Sequence, residues 1–105
     1  MNDNTGNSSN AFLTTLGLAR RAGKLIIGWD RIEPYKGSLS FIIAACDASA
    51  RTIDNAKRKA ETIITVFTMA EIGLALGIRR AAVVAVADKG FAEVLKNRIS
   101  DVIKS

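Results

Sequence analysis

The sequence predicts an α/β chain folded as a three-layer α/β/α sandwich on a four-stranded, largely parallel or mixed sheet. Three observations carry this expectation. Segments with helical spacing of apolar residues alternate with short β-branched runs along the chain. The runs at residues 39–46 and 81–87 are apolar at nearly every position, as in central strands covered on both faces. The connections are short, as expected when helices and strands alternate across a layered fold.

Residues 1–10 are Asn, Ser, Thr and Gly with almost no apolar content, which predicts a disordered tail and leaves 11–105 as a single domain. Ser9 or Asn10 is the expected N-cap of a first helix over 11–22, in which Phe12, Leu13, Leu16 and Ala19 follow the i, i+3, i+4, i+7 rule. Gly23 ends it, and residues 24–27 form a short strand. Gly28 opens a loop, and residues 29–35 form a brief helix capped by Gly28 or Asp30. Lys36 to Ser38 is a turn, and 39–46 is the first central strand. A helix over 50–61 follows, with Ser49 or Asp47 as its cap and a basic run at Lys57, Arg58 and Lys59. A strand at 63–67 leads to Thr68 and Glu71, which have the spacing of a capping box, and that helix ends at Gly77. Residues 78–80 make an exposed basic connection to the strand at 81–87. Asp88 caps a last helix with Phe91, Val94, Leu95 and Ile99 on one face.

The composition narrows the function. The 105 residues include 15 Lys and Arg against 10 Asp and Glu, a net charge of +5, which favours nucleic acid or another acidic surface as partner. A single Cys and no His exclude an internal disulfide and leave no zinc site or Cys-His pair to expect. No signal sequence or membrane-length apolar run is present, so a soluble, cytoplasmic protein is expected. No glycine-rich dinucleotide or P-loop motif occurs. Cys46, at the carboxyl end of a central strand, is a candidate nucleophile only if some group other than His activates it, and a small core residue otherwise. The enzyme reading is set aside on these grounds.

The basic residues are more informative. Arg20, Arg21, Lys24, Arg31, Arg51, Arg79 and Arg80 all fall at helix ends, turns or loops, and several of these loops gather on one edge if strands and helices alternate as predicted. Such charges neutralise phosphates, with strong salt dependence. Trp29, directly after a glycine, either stacks on an unpaired base, a contact of about 1–3 kcal/mol, or covers the sheet edge as a partly buried lid.

The run Leu-Gly-Leu-Ala-Arg-Arg-Ala-Gly-Lys-Leu-Ile-Ile-Gly over residues 16–28 resembles the opening of bacterial YlxQ-like proteins, members of the kink-turn RNA-binding ribosomal-protein family (the L-seven-Ae, L-thirty-e type). Asp47-Ala48-Ser49 with Thr52, Leu76-Gly77, the strand 83–86, and Asp88 with Gly90-Phe91-Ala92 extend the resemblance over about residues 12–95. It implies an α/β/α sandwich that binds structured, often ribosomal, RNA without catalysis, cofactor, metal or small-molecule substrate. A monomer in the free state is expected, with no membrane partner. The family reads tandem sheared G·A pairs from the loop after the first strand, and covers an extruded nucleotide with the loop before the last strand. Carried onto this chain, those regions are Gly28, Trp29, Asp30 and Arg31, with Lys36 as a displaced lysine, and Ile78, Arg79, Arg80 and Ala81. Arg51 joins them as an RNA contact, and Arg20, Arg21 and Lys24 as phosphate contacts.

The chain departs from the family where bases are read. Asp30 stands for Asn and accepts from guanine without donating as an amide would. Arg31 reverses the charge of a Glu, and Pro34 replaces a Lys. Fold and RNA binding therefore carry over better than kink-turn specificity. The alternative is a protein-interaction module of the same fold that has lost that specificity.

Overall fold

The computed structural model describes residues 4–37 and 39–104. In chain order the elements are α1 (Asn4–Arg21), β1 (Leu25–Ile27), α2 (Trp29–Ile32), β2 (Phe41–Ala44), α3 (Ala50–Lys59), β3 (Thr62–Ile64), α4 (Met69–Leu76), β4 (Val83–Val86) and α5 (Lys89–Lys104). Helices α1, α4 and α5 pack on one face of the sheet, and α2 and α3 on the other.

The central strands explain why three layers form. Residues alternate between the faces of a strand, and in β2 both faces are apolar. Phe41 and Ile43 enter the larger core with Phe12, Leu16, Ile72, Leu76 and Leu95, while Ile42 and Ala44 enter the smaller core with Ile32 and Ala56. Val84 and Val86 of β4 join the first core, Val83 and Ala85 the second. The ring of Phe12 stacks on Phe67 with centroids 5.2 Å apart, fastening α1 over the segment that precedes α4.

The sheet is mixed, in the order β1-β4-β2-β3. Strands β1, β2 and β3 run the same way, and β4 runs against them between β1 and β2. Only β2 and β3 form a parallel pair, so of the two sheets expected, largely parallel or mixed, the chain builds the mixed one. Apolar runs mark central strands but carry no direction. The approach of β4 follows instead from the segment before it, which returns along α4.

Several details differ from expectation, among them the ends of α2 at Ile32 and of α3 at Lys59. Helix α1 begins at Asn4, not after a cap at Ser9 or Asn10, because a helix nucleated by the packed turns of Phe12 and Leu16 extends backwards at little cost per residue. Residues 1–3 of the expected tail lie outside the described residues. The strands are shorter than their apolar runs, since Leu39, Ala45, Phe67 and Ala81 are buried without joining the ladder. On α5 the buried stripe is Ala92, Leu95 and Ile99, and Val94 is 42% exposed.

Candidate nucleic-acid interface

The carboxyl ends of β1, β2 and β3 and the amino end of β4 meet at one sheet edge. The register fixes this: Ile27 lies opposite Val84, Ala44 opposite Val83, and Ile43 opposite Ile64. Three connections that carry candidate residues leave from this edge.

The first is the turn from β1 into α2. The Gly28 amide donates to the Val83 carbonyl at 3.0 Å, and the Gly28 carbonyl accepts from the amides of Arg31 and Ile32, each at 3.1 Å. Gly28 is thereby the N-cap of α2, with φ 97°, a conformation L side chains rarely adopt. A Cβ at this position would also stand 2.9 Å from the Asp30 carboxylate. Asp30 and Arg31 are exposed, and Trp29 is half-buried against the smaller core. The lid reading of Trp29 therefore describes part of its surface, and the remainder faces solvent.

The second connection joins β2 to α3. The Ala45 amide donates to the Ala82 carbonyl and the Cys46 amide to the Phe67 carbonyl, both at 2.8 Å. Ser49 caps α3, its Oγ accepting from the Thr52 amide at 3.1 Å, which places exposed Arg51 in the first turn. Asp47, the other candidate for this cap, reaches a different helix: its Oδ1 accepts from the Met69 amide of α4 at 2.9 Å. Cys46 is an exposed free thiol beside it.

The third connection is residues 77–82. After α4 ends at Gly77, the Ile78 amide donates to the Gly73 carbonyl at 2.9 Å and the Ala81 amide to the Met69 carbonyl at 3.2 Å. The segment thus doubles back along α4 to the edge. Gly73 permits this, since a Cβ there would lie 2.5 Å from the Arg80 Cα. Arg79 and Arg80 are exposed, Ile78 is half-buried and Ala81 is buried.

The other candidates lie elsewhere. Strand β1 crosses the sheet, so Lys24 sits at the opposite edge, where its carbonyl accepts from the Ala87 amide at 2.9 Å. Arg20 and Arg21 end α1 on that side, and Arg20 Nη1 donates to the Leu76 carbonyl at the C-terminus of α4, 2.6 Å away. Arg20, Arg21 and Lys24 therefore do not share an edge with Arg31. Lys36 is also displaced from Gly28. It follows Tyr35, whose carbonyl, with that of Glu33, accepts from Lys59 Nζ at the far end of α3 (3.0 and 2.8 Å). Lys59 thus ties the chain after α2 to α3, while Lys57 and Arg58 remain solvated.

The edge therefore joins exposed Arg31, Arg51, Arg79 and Arg80 to the acids Asp30, Asp47 and Glu71. Two of these acids are engaged by backbone amides: Asp47 by Met69, and Glu71 by Thr68 at 2.9 Å. An engaged carboxylate opposes an incoming phosphate less than a free one, because its charge is partly offset by the helix N-terminus it faces. Sequence reasoning missed Asp47, Lys59 and Gly73 in these roles. Only Gly73 left a trace, as a glycine inside a helix pattern. Among the described residues no group of three His, Cys, Asp or Glu is placed to hold a metal ion, and no described helix is long and apolar enough to cross a membrane.

Neither a family model nor a curated protein matches this sequence. Among solved structures, a Bacillus halodurans protein of unknown function shares 27% identity, with a TM-score of 0.78 over 85% of this chain and 96% of that one. The 15.5 kD RNA-binding protein of Giardia lamblia aligns with a TM-score of 0.67 over 99% of this chain and 92% of its own, at 13% identity. The chain is thus similar along most of its length to a bacterial protein of comparable extent, and in fold to an RNA-binding protein of Giardia.

Proposed function

We propose that the chain is a non-enzymatic RNA-binding protein that recognises structured RNA, of the kink-turn or ribosomal kind, through the edge formed by the β1–α2, β2–α3 and α4–β4 connections. The observation that carries this reading is the bond from the Gly28 amide to the Val83 carbonyl. It joins the loop after the first strand, one region the YlxQ-like resemblance implicates, to the first residue of the last strand, just beyond the other, the 78–81 loop. The fold shared with the Giardia RNA-binding protein supports the same reading. Arg31, Arg51, Arg79 and Arg80 supply phosphate contacts, while Gly28, Trp29 and Asp30 approach bases, with Ile78 and Ala81 backing the surface. Arg20, Arg21, Lys24 and Lys36 reach only an RNA long enough to pass beyond this edge.

Titration of a fluorescent kink-turn RNA and a plain duplex at several salt concentrations tests the proposal. Log affinity is expected to fall linearly with log salt, by about 0.7–0.9 for each phosphate engaged, with the kink-turn RNA preferred. Affinity indifferent to salt would overturn it. The departures at Asp30, Arg31 and Pro34 favour a second reading, a protein-interaction module, which predicts a partner retained from nuclease-treated lysate and no RNA bound above background.

A further inference from the structure

We propose that Asp47 is a positioning residue that fixes the spacing between two arms of the RNA edge. The inference rests on the RNA-binding reading. One arm is the β2–α3 connection with Arg51. The other is the segment 78–81 with Arg79 and Arg80, which is not independent of α4: its ends are bonded to Gly73 and Met69, and its backbone lies against Gly73. Helix α4 and this segment therefore move as one body. Met69 is the first residue of that body, and its two backbone groups face opposite arms. Its amide donates to Asp47 Oδ1 at 2.9 Å, and its carbonyl accepts from the Ala81 amide at 3.2 Å. Asp47, Met69 and Ala81 form a single line of hydrogen bonds from one arm to the other.

The chemistry at Asp47 gives a sign that separates this role from a plain surface charge. A carboxylate at a phosphate-binding edge repels the ligand, so its removal by itself tightens binding. A carboxylate that positions the arm does the reverse when its hydrogen bond is lost. Asp47→Asn and Asp47→Ala carry the same charge, but only Asn retains an Oδ1 acceptor for the Met69 amide. Their difference reports the bond alone. Thr68 and Glu71 continue to cap α4 in both variants, so the helix keeps its start.

The experiment measures kink-turn RNA affinity and amide hydrogen exchange at Met69 and Ala81 in the wild-type protein and both variants. The Ala variant is expected to bind about 3- to 10-fold more weakly than the Asn variant, the range a single hydrogen bond supplies, with Asn at or above wild-type affinity. Exchange should quicken at both amides in Asp47→Ala and at neither in Asp47→Asn. Equal affinity of the two variants, or an Ala81 amide unmoved in Asp47→Ala, overturns the proposal. A wild-type protein that binds no RNA sinks the RNA reading instead, and the exchange measurement still decides whether Asp47 couples the two arms.

Discussion

At the scale of single residues, contacts away from the exposed arginines hold the segments of the edge in place. Gly73 is buried with the Arg80 backbone against it, so Gly73→Ala must displace the returning segment rather than fill a void. The expected loss is about 1–3 kcal/mol of stability, read by chemical denaturation, and, on the proposed RNA-binding reading, weaker RNA binding. Lys59 is the single basic residue of its run with carbonyl partners across a helix boundary. Lys59→Met keeps the aliphatic stem and removes both bonds, which should cost about 1–2 kcal/mol. The same change at Lys57, an exposed position, should leave the denaturation midpoint unmoved. The sequence does not separate Lys57 from Lys59, because helical spacing shows which face a residue is on and not which carbonyls lie opposite.

At the scale of elements, local signals were legible and non-local ones were not. The capping box of α4 is an example: Thr68 Oγ1 accepts from the Glu71 amide at 3.1 Å, and Glu71 Oε1 accepts from the Thr68 amide at 2.9 Å. Both partners lie three residues apart, so the pattern can be read before any fold exists. Thr68→Ala should cost about 1 kcal/mol, measured as a lowered Tm. Asp47 acts at the same helix end from 22 residues away, and no local pattern announces such a partner. Strand positions were readable because β2 and β4 are apolar on both faces, but their ends were not, because Leu39 and Ala45 are buried by neighbouring layers rather than by the ladder. Strand order and the antiparallel run of β4 depend on how the chain returns from α4, which composition does not encode.

At the scale of the whole molecule, the same crossing that defines the fold divides its charge. Strand β1 is three residues long, and its two ends carry Lys24 and Gly28 to opposite edges of the sheet. The expectation that several basic loops share one edge describes Arg31, Arg51, Arg79 and Arg80, and not Arg20, Arg21, Lys24 or Lys36. On the proposed RNA-binding reading, replacing Arg79 and Arg80 together by Gln should weaken binding to all RNAs and lower the salt slope by about 1–2. Replacing Arg20 and Arg21 should leave that slope unchanged for a short RNA. Trp29→Ala should weaken only RNAs with an unpaired base. These contrasts are read from one set of salt titrations.

The place of β4 also sets the order in which the chain can fold. The fourth described strand in chain order lies between β1 and β2, so neither has its inner neighbour until residues 83–86 are in place. Closing the sheet must therefore join distant parts of the chain, with the loop-closure cost and slower rate that non-local pairing brings. A chain truncated before Ala82 presents two unpaired apolar strand edges, the kind of surface that aggregates. Completion of the sheet and completion of the proposed RNA-binding edge then coincide, because both wait for the same strand.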